Sequence, residues 1–167
     1  SIESLVEKCE IIFVAVQTPH DPLFEGKTPL PKERRDFDYT HIISVAQSLN
    51  LALKKLPNAN PIIVFISTVL PGTMKNHVLP LLLDARENIG FAYNPYFIAM
   101  GTTVFDFLNP EFILLGASSK VVENLMVDFY SFINAEVVCM DIESAELTKV
   151  AYNTFRSEEH TSELQSR

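Results

Sequence analysis

The sequence predicts an α/β fold built on a mostly parallel sheet. Short apolar runs rich in Val, Ile and Phe alternate with longer segments whose apolar residues recur at helical spacing. Apolar runs of this length are typical of strands buried on both faces, and strands that alternate with helices are typical of βαβ units. The chain has 167 residues, which is enough for one domain with its own core.

The clearest strand pattern is the apolar run at residues 61–67. In an open α/β sheet, ligands bind at the carboxyl ends of the parallel strands. The hydroxyls of Ser67 and Thr68 are therefore candidates for lining a binding crevice. A structural interpretation is equally open, in which Ser67 only ends the strand and Thr73 N-caps the helix that follows.

The remaining elements follow from the same patterns. Further strands are predicted at residues 10–16, 91–93, 113–116 and 137–139. Helices are predicted at residues 1–8, 39–56, 74–86 and 121–133, and from about residue 145 onward. Asp38 is a suitable N-cap for the helix at 39–56, Pro80 interrupts the helix at 74–86, and Asp141 or Ser144 caps the last helix.

A long loop follows the strand at residues 10–16. Four prolines (Pro19, Pro22, Pro29 and Pro31) exclude a helix or a central strand there. A long loop at the carboxyl end of a strand is more often functional than not.

Composition excludes several classes of function. The net charge is −8, and no cluster of Lys and Arg suggests a nucleic-acid surface. No apolar run is long enough to span a membrane, so a cytoplasmic protein is expected. Cys9 and Cys139 lie beside apolar strands and are predicted to be reduced core thiols, and the four histidines suggest no metal site. The chain has five glycines and no G-x-G-x-x-G motif, hence no phosphate cradle.

Four segments together carry a resemblance to a known family. They are Val14-Ala-Val-Gln-Thr18-Pro19, Asp36-Phe-Asp-Tyr39, Ser67-Thr68-Val69 with Pro71-Gly72-Thr73, and Ala145-Glu146-Leu147-x-Lys149-x-x-x-Asn153. In this order and spacing they resemble the UDP-glucose/GDP-mannose dehydrogenase family of NAD-dependent nucleotide-sugar dehydrogenases, over about residues 1–155.

The resemblance implies a partial Rossmann-like, doubly wound sheet. Residues 1–142 correspond to the second half of the NAD-binding domain, and 143–155 to the start of the long helix that leads to the central dimerisation domain. Family members use NAD to oxidise the C6 alcohol of a nucleotide sugar twice, which gives a uronic acid. The expected partners are a nucleotide sugar and, for the parent protein, a second copy of itself in a homodimer or larger assembly.

The resemblance also implies site residues. NAD would be bordered by Thr18, Pro19, Ser67, Thr68 and Met100. The nucleotide sugar would contact Tyr96, Phe97, Ile98, Met100, Lys149 and Asn153. Thr68, Lys149 and Asn153 are the candidate catalytic residues.

Lys149 and Asn153 lie one turn apart on one helix face. An ammonium and an amide placed there can stabilise the oxyanion of a tetrahedral intermediate. The alternative interpretation treats Glu146 and Lys149 as a surface i, i+3 pair of small energetic value.

Two departures from the family pattern affect the expected chemistry. The family segment usually reads N-P-E-F-x-x-E-G, but here Tyr96 and Met100 stand at the two glutamate positions. Methionine cannot accept a proton, and tyrosine is a poor base at neutral pH. Residues 109–112 spell N-P-E-F, but we reject them as the motif because they lie too far beyond residues 67–69 and because Gly101 and Asp106 align the earlier copy. The chemistry or substrate is therefore altered, or part of the second oxidation is lost.

The last expectations concern the ends of the chain. Residues 156–167 resemble the translation of a common sequencing-library adapter and are left out of the fold prediction. Neither Cys9 nor Cys139 matches the family's nucleophile, so the chain alone is expected to be inactive. A non-catalytic nucleotide-sugar-binding relative is the main alternative, and another NAD enzyme, such as a hydroxy-acid dehydrogenase, is a weaker one.

Overall fold

One sheet of five strands in the order β1-β2-β3-β4-β5 organises the protein. The computed structural model describes residues 1–19, 21–24, 32, 35–99 and 101–165. The strands are β1 (Ile11–Val14), β2 (Ile62–Phe65), β3 (Gly90–Tyr93), β4 (Phe112–Ala117) and β5 (Glu136–Met140). The α-helices are α1 (Ile2–Lys8), α2 (Thr40–Lys55), α3 (Leu79–Ala85), α4 (Thr103–Leu108), α5 (Lys120–Phe129) and α6 (Ile142–Gln165).

The strands are mostly parallel, as predicted. β1 pairs with β2, β2 with β3, and β4 with β5 in parallel, whereas β3 and β4 are antiparallel. The carboxyl ends of β1, β2 and β3 therefore meet at one edge of the sheet, where an α/β fold binds its ligands.

Helices cover both faces of the sheet. On β2, Ile63 and Phe65 point into the larger core, which α1, α2, α3 and α6 help to enclose. Ile62 and Val64 point to the opposite face, which packs against α5. This alternation follows from the two-residue period of a strand, and helices on both faces make the sheet doubly wound.

Two helix starts differ from the prediction. The helix expected at 74–86 divides into a π-helical turn (Met74–Val78) followed by α3. Pro80, in the first turn of α3, has no N–H to continue the hydrogen-bond pattern of the preceding segment. Asp38 is not the N-cap: α2 begins at Thr40, and the Asp38 carboxylate accepts a hydrogen bond from the Thr40 N–H at 2.9 Å.

Helix α6 lies unusually close to β4 at Gly116. A Cβ at this position would lie 2.8 Å from the Ile142 Cα and 3.0 Å from the Ala145 Cβ. Only glycine permits this approach, and it fixes the start of α6 against the sheet.

The remaining sequence expectations concern membranes, cysteines and metals. Among the described helices, none is both long and apolar enough to cross a bilayer. Cys9 and Cys139 are free thiols and are partly buried. The described residues contain no group of three or more potential metal ligands.

Candidate functional site

At the carboxyl edge of the sheet, two hydroxyl groups join the ends of β1 and β2. The Ser67 hydroxyl accepts a hydrogen bond from the Val16 N–H at 3.2 Å and donates one to the Val16 carbonyl at 2.6 Å. The Thr18 hydroxyl donates to the Thr68 carbonyl at 2.9 Å. The structure thus brings Thr18, Ser67 and Thr68 together, and exposed Pro19 follows directly.

Glu146, not Thr73, accepts the backbone N–H groups at the start of the helical segment that follows β2. The Thr73 hydroxyl donates to the Leu70 carbonyl at 2.6 Å and does not cap the helix. The Glu146 carboxylate accepts the N–H groups of Gly72 at 2.5 Å and Met74 at 2.8 Å. Gly72 has a positive φ of 88°, which glycine adopts without strain.

Glu146 and Lys149 are not a surface ion pair, so that alternative is wrong. Glu146 is fully buried and Lys149 is 5% exposed. Burial raises the pKa of Glu146, although its two N–H partners act in the opposite direction. The i, i+3 spacing, which is typical of exposed ion pairs, here places two buried groups on α6. Glu146 accepts from the Gly72 and Met74 N–H groups, and Lys149 has other partners.

Lys149 is a buried cation held by an aromatic ring and a carbonyl. Its Nζ donates to the Tyr96 carbonyl at 2.7 Å and lies 4.3 Å from the centroid of the Phe97 ring. Burial lowers the pKa of the Lys149 ammonium to about 8, and no carboxylate of the described chain counteracts that change. A buried lysine without an ion-pair partner is a strong candidate for a functional group.

Lys149 lines a cavity of about 440 Å³ between α6 and the segment that joins β3 to β4. This volume lies within the usual range for a small-molecule site. Four of the predicted substrate residues line it: Phe97, Ile98, Lys149 and Asn153.

Tyr96 contributes its backbone carbonyl to this site and turns its side chain away. Its hydroxyl lies 3.1 Å from that of Tyr130, and its ring packs against Phe107 with centroids 5.2 Å apart. The Tyr130 hydroxyl donates in turn to Asn94. Tyr96 does not line the cavity at Lys149, and its contact with the substrate stays a prediction. Met100 lies outside the described residues.

Sequence reasoning did not assign the other eight residues of the cavity wall to the site, and Asp106, Glu111 and Tyr152 are among them. The Asp106 carboxylate accepts the Ala99 N–H at 2.9 Å, which lowers its pKa, and it also accepts the Thr102 hydroxyl at 2.7 Å. The Tyr152 hydroxyl donates to Glu111. The spacing of Tyr152, three residues after Lys149, was the one available signal that both share a helix face.

The predicted cofactor and substrate residues occupy separate places. Thr18, Ser67 and Thr68 lie at the ends of β1 and β2, and none of them lines the cavity at Lys149. The described chain therefore contains two distinct clusters.

Comparison with known families decides the assignment. Residues 1–134 match the model of the UDP-glucose/GDP-mannose dehydrogenase family, NAD binding domain. The chain belongs to this family. GDP-mannose 6-dehydrogenase from Pseudomonas aeruginosa is 27% identical over 153 residues, which cover 89% of this chain and 32% of that protein. UDP-glucose 6-dehydrogenase from Rickettsia bellii is 28% identical over 153 residues, which cover 90% of this chain and 32% of that protein.

Solved structures agree with the family assignment. The ternary complex of GDP-mannose dehydrogenase from Pseudomonas aeruginosa superposes with a TM-score of 0.82 at 25% identity, over 96% of this chain and 35% of that one. A UDP-glucose dehydrogenase from Pyrobaculum islandicum gives a TM-score of 0.78 at 26% identity, over 93% and 34%. The chain thus spans about a third of the length of the family members it matches.

The family assignment makes NAD the cofactor, because the matched region is the family's NAD-binding domain. The joined ends of the parallel strands β1 and β2 fit one wall of a dinucleotide crevice. A pyrophosphate cradle is not among the residues of this chain, since the sequence has no G-x-G-x-x-G motif.

Proposed function

We propose that this chain is part of an NAD-dependent nucleotide-sugar 6-dehydrogenase. The parent protein would oxidise the C6 alcohol of a UDP- or GDP-linked sugar twice, to the carboxylate. The observation that carries the proposal is Lys149, a buried ammonium with no carboxylate partner in the described chain, at the wall of a ligand-sized cavity. The named activities of the relatives from Pseudomonas aeruginosa and Rickettsia bellii support it.

Lys149 and Asn153 would stabilise the oxygen of the reacting carbon. An ammonium has three N–H donors, and the Tyr96 carbonyl accepts from one of them. An oxygen that gains negative charge in the cavity can accept another, and the Asn153 amide lies on the same wall. Such donors stabilise charge most strongly where water is excluded.

The cofactor would lie along the joined ends of β1 and β2. We propose that Thr18, Pro19, Ser67 and Thr68 border it there, with Thr68 nearest the chemistry. NAD supplies the hydride acceptor when bound. Because the Thr18 and Ser67 hydroxyls are engaged with backbone groups, their part is to hold the crevice in shape. A contact of Met100 with cofactor and substrate is also part of this proposal.

The two missing glutamates support a second candidate function. Where the family has its first glutamate, Tyr96 places its hydroxyl beside Tyr130, and Tyr96 does not line the cavity at Lys149. No acid-base group from this position then faces the cavity. This favours a non-catalytic relative that binds a nucleotide sugar without completing its oxidation.

The parent protein is further proposed to be a cytoplasmic homodimer or larger assembly that binds no nucleic acid. Helix α6 would begin the long helix that joins the NAD-binding domain to the dimerisation domain. The 167-residue chain alone is expected to be inactive, because it has neither the pyrophosphate loop nor the catalytic cysteine.

The test is turnover by the complete gene product that contains this chain. Formation of NADH is measured with GDP-mannose and with UDP-glucose, for the wild type, Lys149→Ala and the control Lys55→Ala, a surface lysine paired with Glu3. Loss of one oxyanion donor should lower kcat by about 10²–10³-fold, whereas Lys55→Ala should match the wild type. Tight binding of a nucleotide sugar without any NADH would favour the non-catalytic candidate. Turnover by the 167-residue chain alone would refute its expected inactivity.

A further inference from the structure

We propose that Glu111 and Tyr152 together bind the hydroxyl groups of the sugar in the cavity at Lys149. This inference deepens the proposed function and rests on it. It assigns the recognition of the sugar to two residues that the family resemblance does not name as site residues.

The geometry brings two distant segments together at one wall. Glu111 directly precedes β4, and Tyr152 lies on α6, 41 residues later in the chain. The Tyr152 hydroxyl donates to Oε2 of Glu111, and both residues line the cavity of about 440 Å³. The Tyr152 ring also packs on Phe97, with centroids 4.3 Å apart. Phe97 in turn lies under the Lys149 ammonium, so the pair is joined to the Lys149 site through one aromatic ring.

The chemistry of the pair fits a neutral ligand rich in hydroxyl groups. An ionised carboxylate is purely an acceptor, with about four lone-pair sites. The Tyr152 hydroxyl uses one of them, and the exposed Glu111 side chain can offer others to ligand O–H donors. Hydrogen bonds to an ionised acceptor are about twice as strong as neutral ones. A carboxylate accepts hydrogen bonds from O–H groups, which the sugar carries and an ionised diphosphate lacks, so the sugar is the part of the ligand that fits this wall.

The electrostatics also orient the sugar. The Lys149 ammonium donates to the Tyr96 carbonyl, whereas the Glu111 carboxylate accepts from the Tyr152 hydroxyl. The two charged groups thus have different partners along the wall of one cavity. A sugar placed between them would direct its reacting carbon toward Lys149 and its remaining hydroxyls toward Glu111. The carboxylate product would then be kept away from Glu111 by charge repulsion.

The experiment measures binding by calorimetry with the complete gene product. The ligands are GDP-mannose, UDP-glucose, GDP and UDP, and the variants are Glu111→Gln and Tyr152→Phe. The control is Glu87→Gln, an exposed carboxylate in the turn before β3, outside this cavity. Glutamine keeps an acceptor for the Tyr152 hydroxyl, so the contact between α6 and the β4 segment is retained.

We expect Glu111→Gln to weaken binding of the preferred nucleotide sugar about tenfold and to leave binding of the matching nucleoside diphosphate unchanged. Tyr152→Phe should weaken the nucleotide sugar less, and Glu87→Gln should match the wild type. Equal affinity of Glu111→Gln and wild type for the nucleotide sugar would overturn the inference. Equal losses of affinity for the nucleotide sugar and the nucleoside diphosphate would overturn it too, because Glu111 would then support the structure of the site and not recognise the sugar. A wild type that binds no nucleotide sugar refutes the proposed function itself, and the inference with it.

Discussion

Glu146 offers the sharpest test of how the site is built, because a single carboxylate joins α6 to the turn after β2. The change is Glu146→Ala. It removes the acceptor of both the Gly72 and the Met74 N–H groups. Helix α6 carries Lys149 one turn later, so the loss affects both the stability of the domain and the position of the candidate site.

The loss in free energy of unfolding expected for Glu146→Ala follows from the two hydrogen bonds and the burial of the carboxylate. A hydrogen bond to a charged group contributes about 1.5–3 kcal/mol. Burial raises the pKa of Glu146 despite the opposing effect of both N–H groups, so part of that gain is lost to desolvation of the carboxylate. We therefore expect Glu146→Ala to lower the free energy of unfolding by about 3 kcal/mol, near the lower end for two such bonds. Glu146→Gln keeps one acceptor oxygen and should cost about half as much.

The assay is urea unfolding of the 167-residue chain, followed by circular dichroism at neutral pH. The matched control is Glu143→Ala, three residues earlier on the same helix. Its carboxylate is half-exposed and lies 3.3 Å from the Lys75 ammonium, so its removal should cost less than about 1 kcal/mol. If Glu146→Ala costs no more than Glu143→Ala, the two N–H bonds do not anchor α6 and the reasoning fails.

Four further outcomes are expected. Lys149→Met should raise the free energy of unfolding at neutral pH by about 1–2 kcal/mol. The difference between an ordinary lysine pKa and one of about 8 corresponds to a cost of roughly 3 kcal/mol for burying the charge, which methionine avoids. Loss of the hydrogen bond to the Tyr96 carbonyl offsets part of this gain. In the wild type, stability measured by urea unfolding should rise as the pH increases above about 8, since the unfolded chain then binds more protons than the folded chain. The Lys149→Met variant should lack this rise. A wild type whose stability does not rise would contradict the pKa of Lys149. Ser67→Ala should cost about 2–3 kcal/mol in the same assay, because the Val16 N–H and carbonyl both lose a partner; a loss below about 0.5 kcal/mol would mean that water replaces the hydroxyl. Tyr96→Phe should leave kcat and KM of the complete gene product within about twofold, because its hydroxyl faces Tyr130 and not the cavity; a large rise in KM would show that the hydroxyl reaches the substrate.

The sheet was the most predictable part of the fold. A strand predicted at 61–67 is observed at Ile62–Phe65, and one predicted at 113–116 is observed at Phe112–Ala117. Strands buried on both faces leave a dense apolar run in the sequence, which is a strong local signal. Helix α4 (Thr103–Leu108) was missed because its six residues contain too little of a helical period to recognise.

The orientation of the site residues was less predictable, because it depends on tertiary packing. The i, i+3 spacing of Glu146 and Lys149 is common on exposed helices, and only the position of α6 against the sheet buries both. The side chain of Tyr96 turns toward Tyr130, which lies 34 residues later in the chain. Glu111 stands in the N-P-E-F copy that was rejected as the family motif, and it lies at one wall of the cavity.

Because of the close approach at Gly116, a residue that does not line the cavity at Lys149 can change the depth of that cavity. A methyl group at this position would lie 2.8 Å from the Ile142 Cα, a separation that real Cβ atoms essentially never show. Helix α6 would have to shift outward, and Lys149, one turn beyond Ala145 on the same face, would move with it. Enlarging the cavity for a bulkier sugar therefore does not require a change to any residue that lines it. A library of variants aimed at new sugar specificity should include position 116, because the residue there sets the distance between α6 and the sheet.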